Sequence, residues 1–172
     1  MRSIATLVTL SLVLGTVLHA QGEPGSALLS SIDARRGVYA DLARQIWGFA
    51  EVGYQEHKSS ALLQTQLKAA GFAVQAGVAE IPTAFTASYG SGRPVIGIIG
   101  EFDALPGLSQ DVSPLRKPLK EGSPGHGCGH NLFGTGSVAA AIAVKEWLAS
   151  SGHSGTLRFF GTPAEEGGSG KV

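Results

Sequence analysis

Within the run PGHGCGHNLFG, residues 124–134, two histidines and the chain's single cysteine stand among glycines. Cys128 and His130 lie one residue apart, and Gly127 and Gly129 permit the backbone bend that turns both side chains to one point. A thiolate and an imidazole together suit zinc and its neighbours. Alone, a Cys-x-His pair is more often a small buried thiol beside an incidental histidine. Its company shifts the weighing. Asp103 follows an apolar run at Ile96–Ile99, and Glu165-Glu166 follow another at Phe159-Phe160. In α/β sheets ligand sites gather outside the strand ends. Adjacent glutamates on a bend diverge, so one can hold a metal while the other faces substrate as a proton shuttle.

Two phosphate-binding readings of the glycines fail. Gly134-Thr135-Gly136-Ser137-Val138-Ala139 fits the dinucleotide fingerprint in letters, but loop rather than strand precedes it and no acidic residue closes a second strand downstream. Gly167 to Lys171 imitates a phosphate loop, yet Glu165 fills the first glycine position and Val172 replaces the metal-binding hydroxyl.

The elements that must position these groups alternate helix and strand. Val38, Leu42, Ile46 and Phe49 mark one helix over residues 26–51, with Gly53 at the left-handed cap. Leu62, Leu63 and Leu67 mark a second over residues 58–70. Residues 72–78 read as a short strand. Residues 84–89 and 94–100 are apolar runs joined by Gly90-Ser91-Gly92-Arg93, which suggests an antiparallel hairpin. The second run lacks polar alternation, as in a strand covered on both faces. Residues 105–125 read as loop, 132–150 as a buried helix and 156–162 as a further strand. The fold class is α/β, a mixed, mostly parallel sheet flanked by helices.

Composition bounds the partners. Thirteen basic residues balance thirteen acidic ones and neither sign clusters, which argues against nucleic acid or an anionic membrane surface. Arg2, the apolar run of residues 4–18 and Ala20 read as a cleaved export signal at residues 1–20, too short to stay as a spanning helix. Export to the periplasm or beyond the cell follows. One cysteine excludes an internal disulfide. Because residue 172 falls inside a glycine-rich turn, residues 21–172 read as the truncated first part of a catalytic domain.

The runs GEFDALPGLSQ, GHGCGHNLFGTG and FFGTPAEEGGSGKV, with AEVGYQEHKSSALL and IPTAFTASYGSG before them, resemble the metal-dependent amidohydrolases and metallopeptidases related to aminoacylase and glutamate carboxypeptidase. The likeness is strongest to the branch of aminobenzoyl-glutamate hydrolases and auxin-conjugate amidohydrolases. It implies a zinc-exopeptidase-like catalytic domain, two divalent ions (zinc or manganese, with cobalt a further option), and hydrolysis of an amide in a small amino-acid conjugate. By position it implies Cys128, His130 and Glu166 as metal ligands and Glu165 as general base. Asp103 resembles the aspartate behind the metal. His126 and Glu101 are assigned to support or substrate contact, Glu101 standing where peptidase members carry a histidine, and Asn131 is not assigned as a ligand. A dipeptidase or carboxypeptidase of the same family, or an inactive exported binding module, are the alternatives. The likeness further implies dimerisation, or a heteromer, through a lid domain outside these residues, and little activity for these residues alone.

Overall fold

The structure, a computed structural model, describes residues 24–172, so the expected leader at residues 1–20 lies outside the described residues. The order of elements is α1 (Pro24–Ala34), α2 (Arg36–Phe49), α3 (His57–Ala69), β1 (Ala73–Ala76), β2 (Phe85–Ser91), β3 (Val95–Glu101), α4 (His130–Ser151) and β4 (Gly155–Thr162).

The single helix expected over residues 26–51 is two, α1 and α2, which meet at Arg35. Ala50, not Gly53, takes the left-handed cap, with φ 44° and its N–H on the Ile46 carbonyl. Leu42 and Ile46 are buried as the periodicity requires, whereas Val38 is exposed and Tyr39 takes its inward place. The helix therefore keeps the expected stripe at Leu42 and Ile46 and widens it through Tyr39 and Ala43.

The four described strands form one sheet in the order β1-β2-β4-β3. The expected hairpin between β2 and β3 is absent, because β4 enters between them. β4 runs antiparallel to β2 and parallel to β3, and β1 is antiparallel to β2. The sheet is mixed, but antiparallel pairs outnumber parallel ones among the described strands. The Gly90–Arg93 link is a crossover rather than a tight turn. A local glycine signal cannot distinguish the two when the competing partner lies 60 residues away.

Leu157 and Phe159 of β4 point into the core, where the Phe85 ring lies 5.7 Å from Phe159 and 6.1 Å from Phe102. Leu42, Ile46, Leu63, Leu67, Val138 and Ile142 close the core from the helices. α4 crosses both β3 and β4 and packs on α1 and α2. Alanines 139, 141 and 143 are buried in it, and such small side chains let a helix sit close to a sheet. An Arg35–Glu146 ion pair at 2.5 Å fastens the junction of α1 and α2 to this helix.

β3 departs most from expectation. Among the described strands it is an edge, and Val95 (57%), Ile96 (49%) and Ile99 (46%) are exposed. Its uninterrupted apolar run belongs to a strand built for cover on both faces.

Candidate metal centre

Parallel pairing of β3 with β4 brings two carboxylate-bearing segments to the same end of the sheet: Glu101 pairs with Thr162, just before Phe102-Asp103 and Pro163-Ala164-Glu165-Glu166. The start of α4 is delivered to that end by two glycines. Gly129 adopts φ 78° as the residue that opens the helix, a conformation costly for any side chain with a Cβ. It leaves Cys128 in the loop and makes His130 the first helical residue. Gly134 then allows α4 to press on β3, since a Cβ there would stand 2.6 Å from the Glu101 carbonyl oxygen. Gly134 of the fingerprint-like run thus serves helix-to-strand contact rather than a nucleotide.

His130 is the hub. Its Nδ1–H donates to Asp103 Oδ1 at 3.0 Å, the tautomer assigned from the carboxylate partner. Its Nε2 faces Glu101 Oε2 at 3.2 Å and Glu165 Oε2 at 3.8 Å, while Glu166 Oε1 lies 3.7 Å from Nδ1. Asp103 is fully buried and its second oxygen accepts the Glu166 backbone N–H at 2.9 Å. The ligand atoms of Glu101, His130 and Glu165 lie within 4.8 Å of one another. Once Nδ1 holds the proton, an imidazole lone pair opposes two carboxylates, and a cation between them turns that repulsion into attraction. The donor set therefore fits a divalent ion of the borderline class.

Cys128 is exposed and lies within electrostatic reach of Glu166, Glu165 and Asp103. The neighbouring Glu166 carboxylate first, then desolvation and the charges of Glu165 and Asp103, hold its pKa above the ordinary thiol range. A neighbouring divalent charge reverses this bias. The two glutamates diverge as expected of a bend: the Glu165 side chain is 34% exposed and the Glu166 side chain 13%. A cleft of about 270 Å³ opens beside Glu166, lined in part by Asp103, Tyr54 and Pro106.

His126 lies near His130 and Asp103 but is held by backbone rather than by the cluster's carboxylates. Its Nε2–H donates to the Ile46 carbonyl at 3.1 Å, tying the loop to the end of α2, and its Nδ1 is buried without a partner. Burial depresses its pKa. Asn131 is buried and donates to the Ala43 carbonyl at 3.2 Å, a packing role. His57 and His153 are exposed, as expected.

Two participants escaped the sequence reading. Lys171 pairs with Glu101 Oε1 at 2.5 Å and with Glu165 Oε1 at 3.3 Å. Glu56 is wholly buried, and its carboxylate accepts the Ala164 N–H at 2.8 Å and the Thr83 hydroxyl at 3.0 Å. Ala164 sits at φ 56°, a left-handed conformation that costs a residue with a Cβ about 1–2 kcal/mol. A hydrogen bond to a buried charged acceptor contributes about 1.5–3 kcal/mol, enough to offset it. No local signal marks Glu56: its partner lies 108 residues away.

The sequence profile described as peptidase family M20/M25/M40 matches residues 97–172. The chain is 51% identical over 143 residues to a component of the p-aminobenzoyl-glutamate hydrolase of Escherichia coli K12, across 83% of this chain and 30% of that protein. It is 30% identical to the Xaa-Arg dipeptidase of Mus musculus, across 92% of this chain and 38% of that protein. The chain thus spans about a third of the length of these curated relatives. Among solved structures it resembles a dinuclear metal-binding peptidase of the M20 family from Bacillus subtilis, with a TM-score of 0.65 and 24% identity over 78% of this chain and 36% of that one.

Proposed function

We propose that this chain, whose residues 97–172 match the profile of peptidase family M20/M25/M40, comes from a protein that hydrolyses the amide bond of an N-acyl or aminobenzoyl amino acid. The observation that carries the reading is His130, fixed by Asp103 with its free nitrogen turned to Glu101 and Glu165 at the joined ends of β3 and β4. The 51% identity to a component of a p-aminobenzoyl-glutamate hydrolase favours an aminobenzoyl-glutamate-like substrate over the dipeptide of the more distant relative.

Cys128, His130 and Glu166 would hold two divalent ions, zinc, manganese or cobalt, with Asp103 orienting His130 from behind. Bound there, such ions supply Lewis acidity that lowers the pKa of a water and polarises the amide carbonyl. Glu165 is the more exposed of the pair, so it can reach both that water and the substrate. It takes the water proton on its carboxylate and returns it to the departing nitrogen. Lys171 steadies Glu165 and Glu101 against each other.

A second reading makes Glu165 itself a ligand, because its oxygen clusters with Glu101 and His130. E165Q in the intact protein separates the two. Retained metal with kcat on p-aminobenzoyl-glutamate lowered by roughly 10²–10⁴ supports the base. Metal lost in proportion to activity supports the ligand. Full activity rejects both.

The basic start and apolar run of residues 1–20 support export. The Escherichia coli relative is one component of a hydrolase made of more than one kind of chain, which supports a heteromeric partner here. Pairing of two identical copies is the other arrangement we consider.

A further inference from the structure

The segment between α2 and α3 touches both strand ends that carry the site. The Glu51 carbonyl accepts the Ala104 N–H at 2.8 Å, and Val52 bridges Ala104 in parallel, which holds the end of β3. Next along the chain, Gly53 lies against Ala164, where a Cβ would stand 2.9 Å from the Ala164 Cβ. The Tyr54 hydroxyl donates to the Gly168 carbonyl at 2.6 Å, and Gly168 N–H closes the turn onto the Ala164 carbonyl at 2.9 Å. Glu56 completes the contact from inside, with one oxygen on Ala164 N–H and the other on Thr83. Ala164 directly precedes the glutamate pair, and its left-handed backbone decides which way Glu165 and Glu166 diverge.

We propose that Glu56 is a positioning residue of the hydrolytic site: its buried carboxylate holds Ala164 left-handed and so aims Glu165 and Glu166. The inference rests on the function proposed above. Burial that pushes the Glu56 carboxyl above its ordinary range agrees with a carboxylate kept in place for its hydrogen bonds rather than for solvation. A merely structural buried group would affect melting and leave turnover per folded molecule alone. A positioning group changes turnover while binding and metal content stay.

The test compares wild type, E56A, E56Q, A164G and E56A/A164G in the intact protein. Three readouts are taken: hydrogen exchange at the Ala164 amide, metal content, and kcat and KM on p-aminobenzoyl-glutamate. In E56A the Ala164 amide should exchange at least about tenfold faster. Its kcat should fall about tenfold to a hundredfold, with KM within about twofold and metal content unchanged, as for a small misplacement of a reacting group. E56Q keeps an acceptor for the Ala164 N–H and should recover most of both. Glycine takes a positive φ unaided, so removing Glu56 from A164G should lower kcat by no more than about threefold. This last comparison stands even where E56A alone melts below the assay temperature.

An Ala164 amide equally protected in E56A overturns the proposal. So does a folded E56A with normal kcat, or a loss of kcat in the A164G background as large as in the alanine background. If wild type hydrolyses nothing, the proposed function fails, and the amide exchange alone then decides whether Glu56 anchors the turn.

Discussion

Asp103 Oδ2 accepts the backbone N–H of Glu166 at 2.9 Å, while Oδ1 takes the Nδ1–H of His130. One fully buried carboxylate at the end of β3 therefore sets both the ring that opens α4 and the turn that follows β4. Three segments distant in sequence share one registration point. D103N keeps a carbonyl acceptor for one of these bonds but weakens the other. We expect about 10- to 100-fold lower affinity for zinc or manganese with the fold retained, read by metal titration against circular dichroism. Unchanged affinity would remove Asp103 from the site.

Cys128 is accessible but biased against its thiolate by Glu166 first, then by burial and the other carboxylates. Without metal, its alkylation by iodoacetamide at pH 8 should be slower than that of a free thiol. E166Q should speed it, and added zinc should suppress it in wild type but not in E166Q. Alkylation indifferent to both Glu166 and zinc would separate Cys128 from the centre.

His126 has its pKa lowered by burial, so the unfolded chain binds a proton before the folded one does. Its contribution to stability is full above the ordinary imidazole value of about 6.5 and is lost as pH falls below it. H126Q can donate the same bond to the Ile46 carbonyl without titrating. Denaturant midpoints measured from pH 8 to pH 5 should show wild type losing stability relative to H126Q on the acid side. Parallel curves would contradict the burial of this ring.

Gly134→Ala opposes two effects. Alanine gains up to about 1 kcal/mol in helix propensity, and its Cβ would stand 2.6 Å from the Glu101 carbonyl oxygen. Backbone on both sides cannot yield as a flexible side chain would, and overpacking costs about 1–3 kcal/mol. The clash should win, lowering the unfolding free energy by about 1–2 kcal/mol and shifting His130 away from Glu101. A stabilised G134A would show that α4 can lift off β3 freely.

Sequence made some of this architecture legible and hid the rest for identifiable reasons. α3, α4 and β4 were readable because apolar periodicity or a dense apolar run coincides with glycine stops at Gly71 and Gly152. The spatial grouping of Asp103, His130, Glu165 and Glu166 was readable because loops that follow neighbouring strands gather at the strand ends of an α/β sheet. Strand order was not, because insertion of β4 between β2 and β3 is decided by partners far along the chain. Glu56 lay hidden in a polar stretch whose neighbours, His57 and Lys58, are exposed. Only the arrival of Ala164 and Thr83 makes its carboxylate an interior group. Lys171 likewise reads as a solvated charge until the turn folds it back onto Glu101.

β3 has a consequence for handling the chain. A strand with exposed valine and isoleucines on its faces, and with no strand beside one of its edges among the described residues, is a template for another strand of the same kind. Whatever leaves that flank bare makes solubility depend on concentration, with self-association seeded at residues 95–99. A lysine at Val95, at the far end of the strand from Glu101, should act as a gatekeeper there, keeping the chain dispersed without touching the cluster around His130.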